Sequence, residues 1–312
     1  MKASLVYASS YDMYFPGFSW LHPFDGRKFS RAWKTIEARA GEAATRARIQ
    51  PEAPVSDESL LRVHTRAYLD SLGSSAVVAR ALEAGPLRFL PNGLLRWRLL
   101  TPMRWAVAGT ILALSRALAD GGVSMNLGGG FHHAFPDHGE GFCLFADAAV
   151  AIMELRARKL LAPGDRVAVI DLDAHRGNGF DACLGKDADV RILDLYNVQA
   201  YPGPGEKVPY AVPLRAGLGD AEYLERAREE LASFLDQAGP FRLALYNAGT
   251  DIVRGDRVGQ LDVSPEGVRE RDRHVVDTLS KRGIPAAIVT SGGYTSLSHA
   301  LIAELALHLL TA

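Results

Sequence analysis

The chain has 312 residues, of which 48% are hydrophobic and 23% charged, and this composition excludes a disordered or low-complexity protein. A formal net charge of -1 argues against a broad basic surface, so we expect no nucleic-acid partner. The two cysteines, Cys143 and Cys183, form neither a CxxC spacing nor a disulfide framework, which is typical of a reducing compartment.

The chain begins with MKASLVYASSYDMYF, whose apolar run is interrupted by Ser, Tyr and Asp before it reaches the length of a signal-peptide core. No apolar run elsewhere is long enough to cross a bilayer. We therefore expect a cytoplasmic protein with no membrane span.

Short β-branched or aliphatic runs alternate with longer amphipathic stretches, which predicts an α/β fold with a mostly parallel sheet and helices on both faces. The predicted strands are 4–9, 122–127, 167–172, 190–195, 243–248 and 285–290. The predicted helices lie near 28–40, 57–72, 103–119, 146–160, 220–237, 265–282 and 296–310. The charged clusters RARK (156–159) and RERDR (269–273) are predicted to be solvated helix faces. With no repeat or separating linker, we expect one domain over 1–312.

Loops rich in Gly, Pro, Asp or Asn are predicted at 10–27, 128–143, 174–189, 196–218 and 249–263. Ligands of open α/β sheets bind beyond the carboxyl ends of strands, so chemistry is expected in the loops that follow strands. These loops carry reactive side chains: GGGFHHAFPDHGEGFC contains His132 and His133, DAHRGNG contains Asp173 and His175, GTDIVRGDRVG contains Asp251 and Asp256, and SGGYTS contains Tyr294.

Asp171, Asp173 and His175 occupy alternate positions at the end of a predicted strand, so their side chains point in one direction. Neighbouring carboxylates repel each other unless a cation lies between them. Asp173, His175 and Asp251 offer two oxygen ligands and one nitrogen, which leaves a position on a tetrahedral Zn²⁺ for water. Such an ion lowers the pKa of that water and polarises a carbonyl. Fe²⁺ or Co²⁺ also suits these ligands.

Three further residues complete a hydrolytic site. A neutral imidazole of His132 or His133 can accept a proton from water and later return one to a leaving amine. Tyr294, presented by Gly292 and Gly293, can donate its hydroxyl to a developing oxyanion. The pattern therefore predicts metal-assisted hydrolysis of an amide. Structural roles are the default for the remaining histidines: His22, His64, His138, His274, His299 and His308.

The motifs GGGFHHAF, GFC, DLDAHRGNG, AGTDIVRGDRVG and TSGGY occur in the order found in the zinc-dependent histone deacetylase family, which the chain resembles over nearly its whole length. LHPFDG (21–26), VHTRAYL (63–69), FLPN (89–92), YNAGTDI and LDLYNVQAYPG resemble the class IV branch most. The resemblance implies the three-layer arginase/deacetylase fold.

The resemblance also implies roles for individual residues. Asp173, His175 and Asp251 match the zinc ligands, His132 and His133 the tandem active-site histidines, and Tyr294 the transition-state tyrosine. Asp171 matches a carboxylate that orients the first histidine, and with Asp194 and Leu195 it falls at a structural K⁺ site. Gly141, Phe142, Cys143, Tyr201, Gly292 and Gly293 fall on the substrate tunnel. Asn178 stands where many members place a carboxylate behind the second histidine, which leaves open which histidine is the base.

By this resemblance the protein removes acetyl or longer fatty acyl groups from Nε-acyl-lysine side chains of proteins or peptides, with one Zn²⁺ per chain. Small acylated amines such as acetylpolyamines are an alternative substrate class. A two-manganese ureohydrolase needs further metal carboxylates and is disfavoured. An inactive acyl-lysine-binding module is the alternative outside catalysis, although a pure binder needs no oxyanion donor. Cys143 is read as a tunnel-wall residue, with a nucleophilic thiolate as the rival interpretation.

Overall fold

The structure of the protein is a computed structural model that describes residues 3–15, 17, 23–203 and 209–311. The described residues form an eight-stranded, all-parallel sheet in the order β2-β1-β3-β8-β7-β4-β5-β6. The strands are β1 (Ser4–Val6), β2 (Arg48–Ile49), β3 (Val123–Asn126), β4 (Val167–Asp171), β5 (Val190–Asn197), β6 (Ala211–Leu214), β7 (Leu243–Asn247) and β8 (Ala286–Val289). Helices cover both faces, which confirms the predicted α/β class.

The α-helices are α1 (Lys28–Ala40), α2 (Glu42–Ala47), α3 (Asp57–Leu60), α4 (Arg66–Ser71), α5 (Ser75–Ala81), α6 (Asn92–Leu95), α7 (Thr101–Asp120), α8 (Asp147–Ala157), α9 (Asn178–Leu184), α10 (Asp220–Ala238), α11 (Pro265–Lys281) and α12 (Ser298–Thr311). Short 3₁₀ segments span Ser9–Tyr11 and Gly85–Phe89, and a π-helical turn spans Arg96–Leu100. None of the helices in the described part of the chain combines the length and hydrophobicity needed to cross a bilayer.

Polar residues at the ends of the central strands lie side by side in the sheet. All five residues of β4 are buried, as expected for a parallel strand covered on both faces. In the strand register, Asp171 at the end of β4 lies beside Asp194 on β5 and Asn247 on β7. The loops that leave β4 and β7 therefore start side by side at the same edge of the sheet.

Local signals explain two differences from the predicted elements. The helix predicted near 57–72 is divided into α3 and α4, because the Thr65 hydroxyl accepts the Tyr68 N–H at 3.2 Å and begins a new helix. Strand β6 lies within the loop predicted at 196–218. It contains Pro213, and proline is tolerated there because β6 is an edge strand.

The RERDR cluster on α11 is not uniformly solvated, so that prediction is wrong for two of its residues. Arg271 and Asp272 are buried and form an ion pair. Arg271 Nη1 donates to the carbonyls of Leu172 at 2.9 Å and Gly249 at 2.8 Å, which follow β4 and β7. The buried guanidinium thus satisfies carbonyls beside the site, a function that no local pattern reveals.

Candidate metal centre and catalytic cavity

Asp173, His175 and Asp251 meet at the carboxyl edge of the sheet. Asp173 and His175 follow β4, and Asp251 follows the adjacent β7. One potential ligand atom from each residue lies within 4.8 Å of the others, and all three residues are buried. His175 Nδ1 is 3.0 Å from both Asp173 Oδ1 and Asp251 Oδ2. Within the described ranges, this is the only trio of His, Cys, Asp or Glu residues close enough to hold a metal ion.

Backbone amides hold the outer oxygens of both carboxylates. The Gly292 N–H donates to Asp173 Oδ2 at 2.9 Å, and the Ala174 N–H donates to Asp251 Oδ1 at 2.9 Å. Burial and the neighbouring charge of Asp173 raise the pKa of Asp251 to about 6. A cation between the carboxylates relieves this repulsion, and two oxygens with one imidazole nitrogen suit a divalent ion such as Zn²⁺. The residues therefore fit the implied metal.

The SGGY segment brings Tyr294 beside this centre. A Cβ atom at Gly292 would lie only 2.1 Å from Asp251 Oδ2, so the close approach of the chain requires glycine. Gly293 continues the turn with a φ of 138°. The Tyr294 N–H donates to Asp256 Oδ2 at 2.8 Å, and its ring centroid lies 6.1 Å from that of His175. Burial and nearby carboxylates raise the pKa of Tyr294 well above 10, so its hydroxyl stays protonated.

His132 has a carboxylate partner. Its Nδ1 atom lies 2.7 Å from Asp171 Oδ2, while Asn247 Nδ2 donates to the other Asp171 oxygen at 2.8 Å. Burial alone lowers the pKa of His132, but the charges of Asp171 and Asp173 outweigh burial and raise the value to about 9. His132 therefore favours the imidazolium form.

The hydrogen-bond partner of His133 is an amide, and the pKa of His133 is shifted in the opposite direction from that of His132. The His133 Nδ1 atom lies 2.7 Å from Asn178 Oδ1. Burial, followed by the positive charges of His132 and His175, lowers the pKa of His133 well below 6.5. The pKa values of the two adjacent histidines are thus shifted in opposite directions.

These groups face a small cavity of about 30 Å³. Its lining includes Asp173, all three predicted catalytic residues and four predicted tunnel residues: His132, His133, Tyr294, Gly141, Phe142, Cys143 and Gly292. Tyr201 and Gly293 are not among the lining residues. Tyr201 is 41% exposed, and its ring centroid lies 5.2 Å from that of His133 in a T-shaped arrangement. The structure thus brings together most of the predicted site.

Cys143 is a wall residue of the cavity. Its thiol is buried, and burial raises the pKa well above its ordinary value. The nucleophilic thiolate is therefore strongly disfavoured, which argues against the rival interpretation of this cysteine.

A second group of oxygens surrounds Asp194. Its Oδ2 atom accepts the Gly177 N–H at 2.9 Å, whereas Oδ1 is buried and has no hydrogen-bond partner among the described residues. Burial and the adjacent charge of Asp171 raise the pKa of Asp194 well above its usual value. A buried carboxylate oxygen without a donor, next to a second carboxylate, suits a monovalent cation.

Two residues that position the site were missed by sequence reasoning. Lys28 is buried on α1, and its Nζ donates to the carbonyls of Ser291 at 2.6 Å and Gly292 at 3.3 Å. Burial lowers its pKa to about 8. Asp147 on α8 accepts the N–H groups of Gly130 and Phe131 at 2.9 and 2.8 Å. Lys28 carries no sequence signal, and Asp147 resembles any acidic residue at the start of a helix.

Among the histidines predicted to have structural roles, His64 is buried, and its Nε2 accepts the Ala146 N–H at 3.0 Å. His138 is largely exposed, and its Nδ1 contacts Asp137 at 2.8 Å. His22, together with the start of the LHPFDG motif, lies outside the described residues.

Comparison with known proteins identifies the class. Residues 22–310 match the model of the histone deacetylase domain, and the chain belongs to the histone deacetylase family. It is 41% identical over 306 residues to Histone deacetylase 2 of Arabidopsis thaliana, an alignment that covers 97% of this chain and 77% of the relative. It is 28% identical over 262 residues to the Histone deacetylase-like amidohydrolase of Pseudomonas aeruginosa, covering 80% of this chain and 67% of that protein.

The fold also matches solved structures. The crystal structure of an HDAC homologue from Aquifex aeolicus superposes with a TM-score of 0.75 at 23% identity and covers 100% of this chain and 84% of that one. At this identity the likeness concerns the fold, and it confirms the arginase/deacetylase architecture.

Proposed function

We propose that this protein is a zinc-dependent lysine deacylase, acting as a single domain over 1–312, that hydrolyses the amide of Nε-acyl-lysine to a free amine and a carboxylate. The observation that carries the proposal is the meeting of a three-ligand metal centre, the two histidines and Tyr294 around one cavity. Tyr294 also favours turnover over mere binding, because its protonated hydroxyl is an oxyanion donor.

Asp173, His175 and Asp251 would hold Zn²⁺, which supplies Lewis-acid polarisation of a carbonyl and of a water molecule. The remaining chemistry belongs to the protein. His133, neutral because of its low pKa, accepts the proton of the attacking water. His132, held by Asp171, keeps positive charge next to the reacting amide. Tyr294 donates its hydroxyl to the oxygen on which negative charge develops.

The walls suit an acyl-lysine stem. The Phe24 and Phe142 rings pack at 4.7 Å between centroids, and aromatic walls bury a methylene chain with few polar requirements. Gly141 leaves this wall open on the side of His133, because a Cβ there would lie 2.4 Å from His133 Cδ2. Acetyl, the smallest acyl group considered, is the first possibility to be tested. The class IV-like motifs make a longer fatty acyl group the second possibility to be tested.

Asp171, Asp194 and the adjacent Leu195 are the proposed site of a structural K⁺. Support comes from the Asp194 oxygen that is buried without a donor and from the neighbouring Asp171 carboxylate. The ion would offset part of the negative charge of the two carboxylates near His132.

A chain-length series of acyl-lysine peptides, from acetyl to myristoyl, tests the proposal with zinc-loaded protein and with acetylspermidine as a competing substrate. We expect turnover of acyl-lysine that a chelator abolishes and Zn²⁺ restores. Discrimination of about 1–3 kcal/mol per methylene makes the preferred length easy to resolve. Faster hydrolysis of acetylspermidine would assign the enzyme to small acylated amines. Tight binding without cleavage at every length would contradict the catalytic proposal.

A further inference from the structure

We propose that Glu140 is a positioning residue that acts through Asn178 to hold His133 with its proton on Nδ1 and its Nε2 lone pair free to act as a base. The inference rests on the proposed function for its catalytic meaning, but its structural content can be measured without turnover. Glu140 lies in the predicted post-strand loop, but it is not among the residues to which the sequence assigned a role.

Three polar groups form a line that leads away from the cavity. His133 Nδ1 lies 2.7 Å from Asn178 Oδ1, and Asn178 Nδ2 donates to Glu140 Oε1 at 2.6 Å. Glu140 belongs to the same post-strand loop as His133, whereas Asn178 begins α9 after β4. The line therefore joins two loops that follow different strands.

Glu140 determines which end of the Asn178 amide faces His133. An ionised carboxylate only accepts hydrogen bonds, so Glu140 requires the Nδ2 group of Asn178. Oδ1 is then directed toward His133 and also accepts the Gly179 N–H at 3.0 Å. The Gly179 N–H also donates to the His132 carbonyl at 2.8 Å, so its bond to Oδ1 does not by itself fix the orientation of the amide. Without Glu140, nothing described binds the amide nitrogen.

The orientation of the amide sets the tautomer of His133. Asn178 Oδ1 can only accept, so Nδ1 of a neutral His133 must carry the proton, and Nε2 is left as the acceptor. The negative charge of Glu140 also polarises the amide and strengthens the bond from His133 to Oδ1. A flipped amide would instead donate to Nδ1 and leave the proton on Nε2.

Glu140 holds a second neighbour of His133. The Glu140 carboxylate lies close to the Tyr201 hydroxyl, and burial together with this neighbouring carboxylate raises the pKa of Tyr201. The Tyr201 ring edge lies against His133 at 5.2 Å between centroids. The other Glu140 oxygen lies 3.5 Å from His138 Nε2. One carboxylate thus restrains both the hydrogen-bond partner and the outer packing partner of the proposed base.

The experiment compares Glu140→Ala, Glu140→Gln, Asn178→Asp and the double variant Asn178→Asp/Glu140→Gln in the full-length, zinc-loaded chain. Asp137→Asn is the matched control, because it removes an exposed carboxylate of the same loop, whose hydrogen bond is to the His138 side chain and not to Asn178. The ¹⁵N chemical shifts of the His133 ring report its tautomer, and steady-state kinetics separate kcat from KM.

We expect Glu140→Ala to lose the Nδ1–H tautomer and to lower kcat by about 10- to 100-fold, with a smaller change in KM. Glu140→Gln retains an oxygen that accepts the Asn178 Nδ2 group. We therefore expect this variant to keep most of the Nδ1–H tautomer of His133 and most of the wild-type kcat. Asn178→Asp alone opposes two carboxylates and lowers kcat, whereas the double variant restores a donor at position 140 and recovers most of that loss. Asp137→Asn matches the wild type.

Two results would overturn the inference: an unchanged His133 tautomer and wild-type kcat in Glu140→Ala, or no recovery in the double variant. Failure of the proposed function looks different, because the wild-type chain would then cleave no acylated amine while the ring shifts still report on Glu140.

Discussion

The inner centre, formed by Asp173, His175 and Asp251, and the entrance, formed by 139–143 and 200–203, are built in opposite ways. In the inner centre all three candidate metal ligands are buried, and both carboxylates accept backbone N–H groups at the ends of adjacent parallel strands. The entrance consists of loops, with Tyr201 41% exposed and with positive φ angles at Gly141 and Phe142.

This difference shows which part of the site needs fixed distances between atoms and which part tolerates substitution. Strand ends in a sheet move little relative to one another, so they suit groups whose spacing must match an ion. Loops tolerate change and suit contacts that select a substrate. Substitutions in the inner centre should therefore abolish function, whereas those at the entrance should only adjust it.

The largest expected effect is that of Asp251→Asn, which keeps the side-chain shape but removes an anionic ligand. We expect the bound zinc to fall far below one ion per chain and turnover to fall to background, because an amide oxygen is a much weaker ligand for Zn²⁺. Metal analysis and acyl-lysine hydrolysis measure both. Asp262→Asn, in an exposed ion pair with Arg254, serves as the control. Full zinc content with normal turnover would remove Asp251 from the centre.

Tyr294→Phe should have the next largest effect. Its backbone bond to Asp256 and its ring contacts remain, so only the hydroxyl donor is lost. We expect kcat to fall by about 10²- to 10³-fold while KM changes little, the pattern of an interaction made in the transition state. Tyr210→Phe is a suitable control, because Tyr210 lies directly before the edge strand β6. A kcat within a few-fold of wild type would mean that this hydroxyl is not the oxyanion donor.

The smallest effect is expected at the entrance, for Tyr201→Leu. The substitution removes an aromatic edge contact with His133, a type of contact that contributes about 0.5–1.5 kcal/mol. A contact of the same size between Tyr201 and a bound acyl-lysine stem corresponds to a rise in KM of roughly 2- to 12-fold for an acyl-lysine peptide, with a smaller change in kcat. Kinetics on a peptide and on a small acylated amine would show whether the effect of the Tyr201 substitution is specific to peptides. A fall in kcat as large as that of Tyr294→Phe would erase the distinction between entrance and centre.

Much of the inner centre could be predicted because its signals are local in the chain. Apolar runs identify the strands, and Asp173 and His175 lie directly after the apolar run of β4, which ends at Asp171. The loops after strands identify where His132, His133 and Tyr294 should meet. The entrance was harder, because the partner of Asn178 and the exposure of Tyr201 depend on how separate loops pack.

The class of fold, the family and the residue types at the carboxyl edge of the sheet can be read from the amino-acid sequence, because strand periodicity and motif order are properties of neighbouring residues. Contacts between distant segments cannot be read this way: β7 lies next to β4, Lys28 and Arg271 are buried against backbone carbonyls, and Glu140 contacts Asn178. The tertiary structure also produced the opposite pKa shifts of His132 and His133, because pKa values depend on burial and on charges brought together from distant parts of the chain.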